Sequence, residues 1–286
     1  MNDDPADSPH GLRGHDLVFL HGQPGSADDW QQVSEQLPAQ VRVVAPDRPG
    51  YGFSPQPPTG FAGNARAVVD QLDSRGIQRA VLVGHSYGGG VALSAASLAP
   101  HRIEALVLLS SVGPRCLSGW DRLLAAPGTG PLCALVAWRL TPSIARARLA
   151  WITWLRGRPL TPDEYVNWQV WAHASRKQNL WRTFLIEQRA LVRELDELVA
   201  VIPSVQVPTL LLADPKDKVV PLRTARRLAR ALPNGRLQLV EGAGHHLPRR
   251  ASGTVAGAIA AFLTAIDSTG NPGARKSLRS AGSGSV

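Results

Sequence analysis

Cysteine is scarce in this 286-residue chain: Cys116 and Cys133 are the two it has. Two thiols in one region do not make a disulfide framework, so they read as reduced. Lysine occurs only at Lys177, Lys216, Lys218 and Lys276, and arginine therefore carries most of the net charge of +9. No run of five or more like charges exists, which argues against a nucleic-acid stripe and leaves a solvated, Arg-rich surface as the simpler reading. The segment Met1-Asn2-Asp3-Asp4-Pro5 is acidic and has no apolar stretch behind it, so no secretory leader is expected. Apolar runs stop short of the roughly 18 residues that a membrane span needs. The nearest, 132–155, is interrupted by Arg139, Arg146 and Arg148. The expected location is cytoplasmic, without stable membrane insertion. No internal repeat is visible. The neighbours His245 and His246 lack the further Cys, His or Asp spacing of a metal site, so no metal and no cofactor are expected.

What the chain does have is an alternation of short apolar runs and helical segments. Strands read at 16–20, 41–45, 80–83 and 103–110, with helices near 28–37 and 62–75 and after residue 86. This is the pattern of a mostly parallel sheet covered on both faces by helices, an α/β fold. Strand signals return at 207–213 and 236–240, with helices at 222–231 and 252–266. Between them, from Gly113-Pro114 to about Ile202, the chain reads as helix alone, at 131–140, 143–156, 161–177 and 179–201. The expected organisation is thus a disordered start over 1–15, a core over 16–113 and 203–267, an inserted helical cap over 114–202, and a disordered tail over 268–286. Seven of the eight tryptophans fall in the cap segment. Most are expected to pack the cap's own core and its seam with the main domain. Trp138 and Trp168, with His173 and the eighth tryptophan, Trp30, are the candidates for lining an apolar pocket.

In such sheets a site forms at the carboxyl ends of the strands. There the chain places Gly84-His85-Ser86-Tyr87-Gly88, a G-x-S-x-G elbow between an apolar strand and a small-residue helix. The glycines let Ser86 occupy a strained turn that lifts its hydroxyl out of the sheet. A serine hydroxyl is a weak nucleophile at neutral pH and needs a base to take its proton. His245 follows the 236–240 strand and is the candidate. Asp217, after the 207–213 strand, is the candidate acid that fixes the imidazole tautomer, with Asp214 as the second carboxylate in the same loop. The order Ser, Asp, His is that of the α/β-hydrolase triad. The N–H groups of Gln23 and Tyr87 are the candidate oxyanion donors. Of the neighbouring residues, His21 is read as ordering the oxyanion loop, His85 as packed, and Asp47 and Arg48 as holding their own loop.

Five segments together carry a resemblance: His21-Gly22-Gln23-Pro24-Gly25, Asp47-Arg48-Pro49-Gly50-Tyr51-Gly52-Phe53-Ser54, the elbow itself, Asp217-Lys218-Val219-Val220-Pro221, and Gly242-Ala243-Gly244-His245. The chain resembles the α/β-hydrolase superfamily in its cap-bearing branch, over about residues 16–266. The resemblance implies a serine hydrolase that cleaves an ester, thioester or lactone of a small apolar molecule through an acyl-enzyme on Ser86. C–C bond hydrolysis and cofactor-free perhydrolysis on the same triad remain open, as does a non-catalytic small-molecule receptor of the same fold. Epoxide hydrolases and haloalkane dehalogenases carry Asp at the elbow, so Ser86 argues against both. Family members usually begin with a hairpin of two strands ahead of the His-Gly strand. Only about fifteen polar residues precede it here, so the expectation is that those strands are absent or the gene start is misplaced, with a sheet edge left exposed. Substrate identity and oligomeric state are not specified by these residues.

Overall fold

The computed structural model describes residues 14–157 and 180–270. Its frame is a six-stranded parallel sheet in the order β2-β1-β3-β4-β5-β6. The strands are β1 (Asp16–Leu20), β2 (Arg42–Val44), β3 (Ala80–His85), β4 (Ile103–Leu109), β5 (Thr209–Ala213) and β6 (Gly235–Leu239). Strands β3 and β5 are buried at every residue. That is the signature of a sheet covered on both faces, and it explains why they read as unbroken apolar runs rather than as alternating patterns. Residues of alternating parity serve opposite faces. Val18, Leu20, Leu82, Leu106 and Leu108 pack against α2 (Phe61–Ser74) and α3 (Tyr87–Leu98). Leu17, Phe19, Val81, Val83 and Val107 pack against Trp30 and the helix α9 (Ser252–Gly270). The edge strand β2 is three residues long, a length that offers little template for pairing with another chain.

The helix expected over 28–37 is a 3-10 turn, Ala27–Trp30, running into the single α-turn α1, Gln31–Ser34. Between β4 and β5 lie α4 (Gly119–Ala125), α5 (Thr129–Arg156) and α6 (Leu180–Val201). The sequence predicts two helices here, 131–140 and 143–156, whereas α5 is one helix of 28 residues with Pro142 inside it. Pro142 forfeits a single backbone bond, and the turns on either side carry the helix through it. Tryptophans of this segment do not all find a core: Trp120, Trp151 and Trp154 are 71%, 60% and 75% exposed. After β5 come α7 (Leu222–Ala231), whose arginines 223, 226 and 230 face solvent, and the short α8 (Leu247–Arg250). Among the described residues no helix is long and apolar enough to cross a membrane. No group of three or more His, Cys, Asp or Glu side chains among them is arranged to hold a metal.

Candidate active site

The elbow between β3 and α3 is built by close backbone approach. Ser86 has φ +54° and ψ −116°, a conformation that side chains rarely adopt. A Cβ on Gly84 would lie 2.4 Å from the Gly88 carbonyl oxygen, and one on Gly88 would lie 2.2 Å from the Leu20 carbonyl oxygen. Both positions therefore require glycine, as the motif implied. The turn is pinned by Ser86 N–H donating to the Leu109 carbonyl at 2.9 Å and by Val112 N–H donating to the Ser86 carbonyl at 3.2 Å.

His245 Nε2 lies 3.0 Å from Ser86 Oγ, and His245 Nδ1 lies 2.9 Å from Asp217 Oδ2. The other Asp217 oxygen accepts the N–H groups of Val219 and Val220 at 2.8 and 3.0 Å. Burial pushes the Asp217 carboxyl up. The bonds from His245 and the neighbouring donors outweigh that, and its pKa ends below the ordinary carboxylate range. An ionised carboxylate only accepts. It therefore selects the tautomer with the proton on Nδ1 and leaves Nε2 free to accept from the Ser86 hydroxyl. Asp214, the second carboxylate of this loop, is committed elsewhere. It accepts Lys216 N–H at 2.7 Å and Gly244 N–H at 2.6 Å, tying the acid loop to the histidine loop.

Two further histidines stand against His245. His85 Nε2 sits 2.7 Å from the His245 carbonyl oxygen and so fixes the backbone that carries the imidazole. Burial, followed by the nearby His245, drives the His85 pKa well below its ordinary value. His246 stacks edge-on against His245 with ring centroids 5.7 Å apart. Burial first, then His245, lowers its pKa to about 4, so it is neutral near pH 7.

Among the described residues Ser86 opens on two cavities. The larger, about 320 Å³, is lined by Gln23, Asp29, His245, His246 and Arg249 among others. The smaller, about 160 Å³, is lined by Tyr87, Val112, Cys116, Leu117, Gln188 and Leu191, with Gln23, Ser86, Leu124, Phe184 and Val219 shared between the two. Gln23 is thus beside Ser86 in both, and its side-chain Nε2 donates to the Phe184 carbonyl at 2.8 Å. Tyr87 is the first residue of α3, where a backbone N–H has no acceptor within the helix. Its ring is stacked on Phe61 at 4.5 Å.

The tryptophan and histidine candidates fare differently. Trp30 is fully buried, packed on Phe19 at 4.8 Å in the core beneath the sheet, and it is absent from the lining of either cavity. Its place in the 3-10 turn, two residues after Asp28, faces it inward rather than toward the strand ends. Trp138 lies on α5, but its side chain is outside the described residues, as are Trp168 and His173 entirely. Sequence reasoning missed Phe184, Leu124 and the ion pair of Asp29 with Arg249, whose Nε donates at 3.0 Å. Phe184 carries no motif. Asp29 and Arg249 lie 220 positions apart, and only the loop after β6 brings them together.

The chain matches the family model described as alpha/beta hydrolase fold over residues 17–248. It is 30% identical over 239 residues to a 2-hydroxymuconate semialdehyde hydrolase of Pseudomonas putida, covering 81% of each chain. It is 46% identical over 105 residues to a non-heme chloroperoxidase of Streptomyces lividans, which covers 34% of this chain and 37% of that relative. A solved thermophilic esterase from Thermogutta terrifontis superposes with a TM-score of 0.70 at 21% identity, over 89% of this chain and 91% of the other, a likeness of fold. Since the family match runs from the first strand to the helix just past His245, this protein belongs to the alpha/beta hydrolase fold family.

Proposed function

We propose that this protein is a serine hydrolase acting on a carboxylic ester, thioester or lactone of a small, largely apolar molecule. The observation that carries the reading is the unbroken chain of contacts from Ser86 Oγ to His245 Nε2 at 3.0 Å and from His245 Nδ1 to Asp217 at 2.9 Å, opening on a cavity. In the first half-reaction Ser86 Oγ attacks the carbonyl carbon while its proton passes to His245 Nε2. The carbonyl π electrons move to oxygen, where the N–H groups of Gln23 and Tyr87 receive the charge. Each such donor is worth roughly 3–4 kcal/mol of barrier in mutagenesis of other hydrolases. Collapse expels the alcohol or thiol, which takes the proton from His245. Water then gives a proton to His245 and attacks the acyl carbon, and the return of that proton to Ser86 releases the acid. The steps need no metal or cofactor.

The two cavities suggest how a substrate lies. The group that leaves takes its proton from His245, and His245 lines the larger cavity but not the smaller. The alcohol part is therefore assigned to the larger cavity, beside Asp29, His246 and Arg249. The acyl part is assigned to the smaller, among Val112, Leu117 and Leu191, with Gln188 at its wall.

The test is intact-protein mass after treatment with a fluorophosphonate, together with hydrolysis of p-nitrophenyl esters of increasing acyl length. One adduct on the wild type, absent from Ser86→Ala, with turnover lost in Ser86→Ala and His245→Ala, is the expected result. No adduct and no turnover in folded wild type would sink the reading and move weight to a ligand receptor. A second reading, C–C bond hydrolysis on the same triad, is favoured by the 30% identity to the P. putida semialdehyde hydrolase. It is separated by offering a vinylogous diketo acid and following loss of its absorbance.

A further inference from the structure

A buried ion pair stands behind the loop that carries Gln23. Arg48 is 2% exposed and Glu187, on α6, is 0% exposed. Both terminal nitrogens of the Arg48 guanidinium donate to the Glu187 carboxylate, Nη2 at 3.2 Å. Tyr51 Oη–H donates to the same carboxylate at 2.6 Å, and Nη1 also reaches Asn64 Oδ1 at 3.2 Å. Such a pair is a poor way to stabilise a core, because desolvating two charges offsets most of their attraction, and an apolar pair of similar shape often does as well. The remaining donors of Arg48 point to a different use. Nε donates to the His21 carbonyl at 2.9 Å and Nη2 to the Gly22 carbonyl at 2.9 Å. His21 adds a second donor. Its Nε2 accepts Arg48 N–H at 3.0 Å, so its proton resides on Nδ1, which lies 2.9 Å from the same Gly22 oxygen.

The Gly22 carbonyl and the Gln23 N–H belong to one peptide unit, and that unit is trans. In a trans peptide the C=O and N–H bonds point in opposite directions within one plane. Two donors gripping the Gly22 oxygen therefore fix the direction of the Gln23 N–H. One of them is charged, and a charged donor on the carbonyl polarises the peptide and strengthens the hydrogen bond its N–H can give. The same helix that supplies Glu187 also supplies the Phe184 carbonyl that holds the Gln23 side chain at 2.8 Å. The loop is thus held from α6 at both its backbone and its side chain.

We infer that Arg48 and Glu187 are positioning residues for the oxyanion site: Glu187 on α6 holds the Arg48 guanidinium on the Gly22 carbonyl, and this aims the Gln23 N–H at the oxyanion formed on Ser86. The inference rests on the serine-hydrolase reading, and it makes the placement of a helix from the inserted segment a determinant of the chemical step rather than of binding alone.

The test uses Arg48→Lys, the charge-neutral pair Arg48→Met with Glu187→Gln, and Tyr51→Phe, which leaves the ion pair in place and removes one bond to it. Three quantities are compared on the ester substrate that the wild type hydrolyses. These are kcat against KM, affinity for a trifluoromethyl ketone that adds to Ser86 as an oxyanion, and affinity for the matching methyl ketone that does not add. A misaimed donor retains part of the effect of a deleted one, which is about 100- to 1,000-fold in kcat. The expected result for Arg48→Lys and for the double variant is a fall of about 10- to 100-fold in kcat, with KM within about threefold. The trifluoromethyl ketone weakens by the same factor as kcat, while affinity for the methyl ketone and the shape of the pH–rate profile stay as in wild type. Tyr51→Phe shows the same pattern at a smaller amplitude of about three- to tenfold. Folded variants with unchanged kcat, or with equal weakening of both ketones, overturn the inference. If the Arg48 variants fail to fold, Tyr51→Phe decides by the same criteria. A wild type that neither labels nor turns over defeats the serine-hydrolase reading instead, which keeps the two failures apart.

Discussion

Replacing Asp217 by Asn tests the relay at its far end, and the local bonding dictates how the substitution fails. The Asp217 oxygen turned away from His245 is held by two backbone N–H donors, from Val219 at 2.8 Å and Val220 at 3.0 Å. An asparagine must keep its carbonyl oxygen there, because an NH₂ group would face two donors. Its NH₂ is then forced toward His245 Nδ1, which has to accept rather than donate. The imidazole proton moves to Nε2, and Nε2 points a hydrogen at Ser86 where a lone pair is needed. The base is lost with hardly any displacement of atoms. A wrong tautomer of this kind is worth about 10⁴ in kcat in a serine protease with the same relay. At 1.36 kcal/mol per decade this is roughly 5 kcal/mol of barrier. Asp214→Asn makes the contrast. Both Asp214 oxygens accept a backbone N–H, from Lys216 and Gly244, so the amide must clash with one of them. That substitution strains the loop by about 1–3 kcal/mol of stability and leaves the tautomer intact. The assay is kcat for ester turnover beside thermal melting for both variants. Asp217→Asn within about tenfold of wild type, or Asp214→Asn losing more kcat than Asp217→Asn while still folded, would remove Asp217 as the group that sets the His245 tautomer.

Three further outcomes follow from the same geometry. Ser86→Gly should melt above Ser86→Ala, because only glycine is free of strain at φ +54°, and about 1 kcal/mol separates the two after glycine's own entropy is counted; equal melting temperatures would show that the elbow stores no strain. Gly88→Ala should lose about 2 kcal/mol or more, since a Cβ 2.2 Å from the Leu20 carbonyl outweighs the helix propensity it gains, whereas Gly257→Ala in α9, with nothing within 4 Å, should gain up to about 1 kcal/mol; melting of the pair reads out the sign. Stability should fall as pH drops below about 6.5, well above the carboxylate range. His21, His85 and His246 all have pKa values lowered chiefly by burial, so below 6.5 the unfolded chain binds protons that the fold refuses, and stability declines until each folded pKa is reached, about 4 for His246. Each such histidine contributes a slope of about 1.4 kcal/mol per pH unit, so His246→Gln should make the decline between pH 6 and pH 4.5 shallower, and an unchanged slope would remove His246 from the account.

The sheet and the elbow were legible because their causes are local. An all-buried parallel strand has to be apolar throughout, as β3 is, and a turn in which Cβ atoms would sit 2.2–2.4 Å from backbone oxygens has to carry glycine at 84 and 88. Ser86, Asp217 and His245 were legible as a set because each follows a strand, and parallel strands bring their carboxyl ends to one side of the sheet. What was not legible depends on faces rather than on spacing. Trp30 and a pocket tryptophan look alike in sequence, and only the turn that precedes α1 decides that Trp30 goes under the sheet against Phe19. Glu187 is the sharper case. It sits in an amphipathic helix between Ile186 and Gln188, where a glutamate reads as a solvated side chain, since an unpaired buried carboxylate is prohibitive. Its burial becomes possible only when a cation comes from 139 positions away, and that cation, Arg48, reads in sequence as serving its own loop. A buried charge therefore has no signature of its own in a single sequence. It is visible only as a pair, and what the pair does is set by where its spare donors end, which here is the peptide that presents Gln23 beside Ser86.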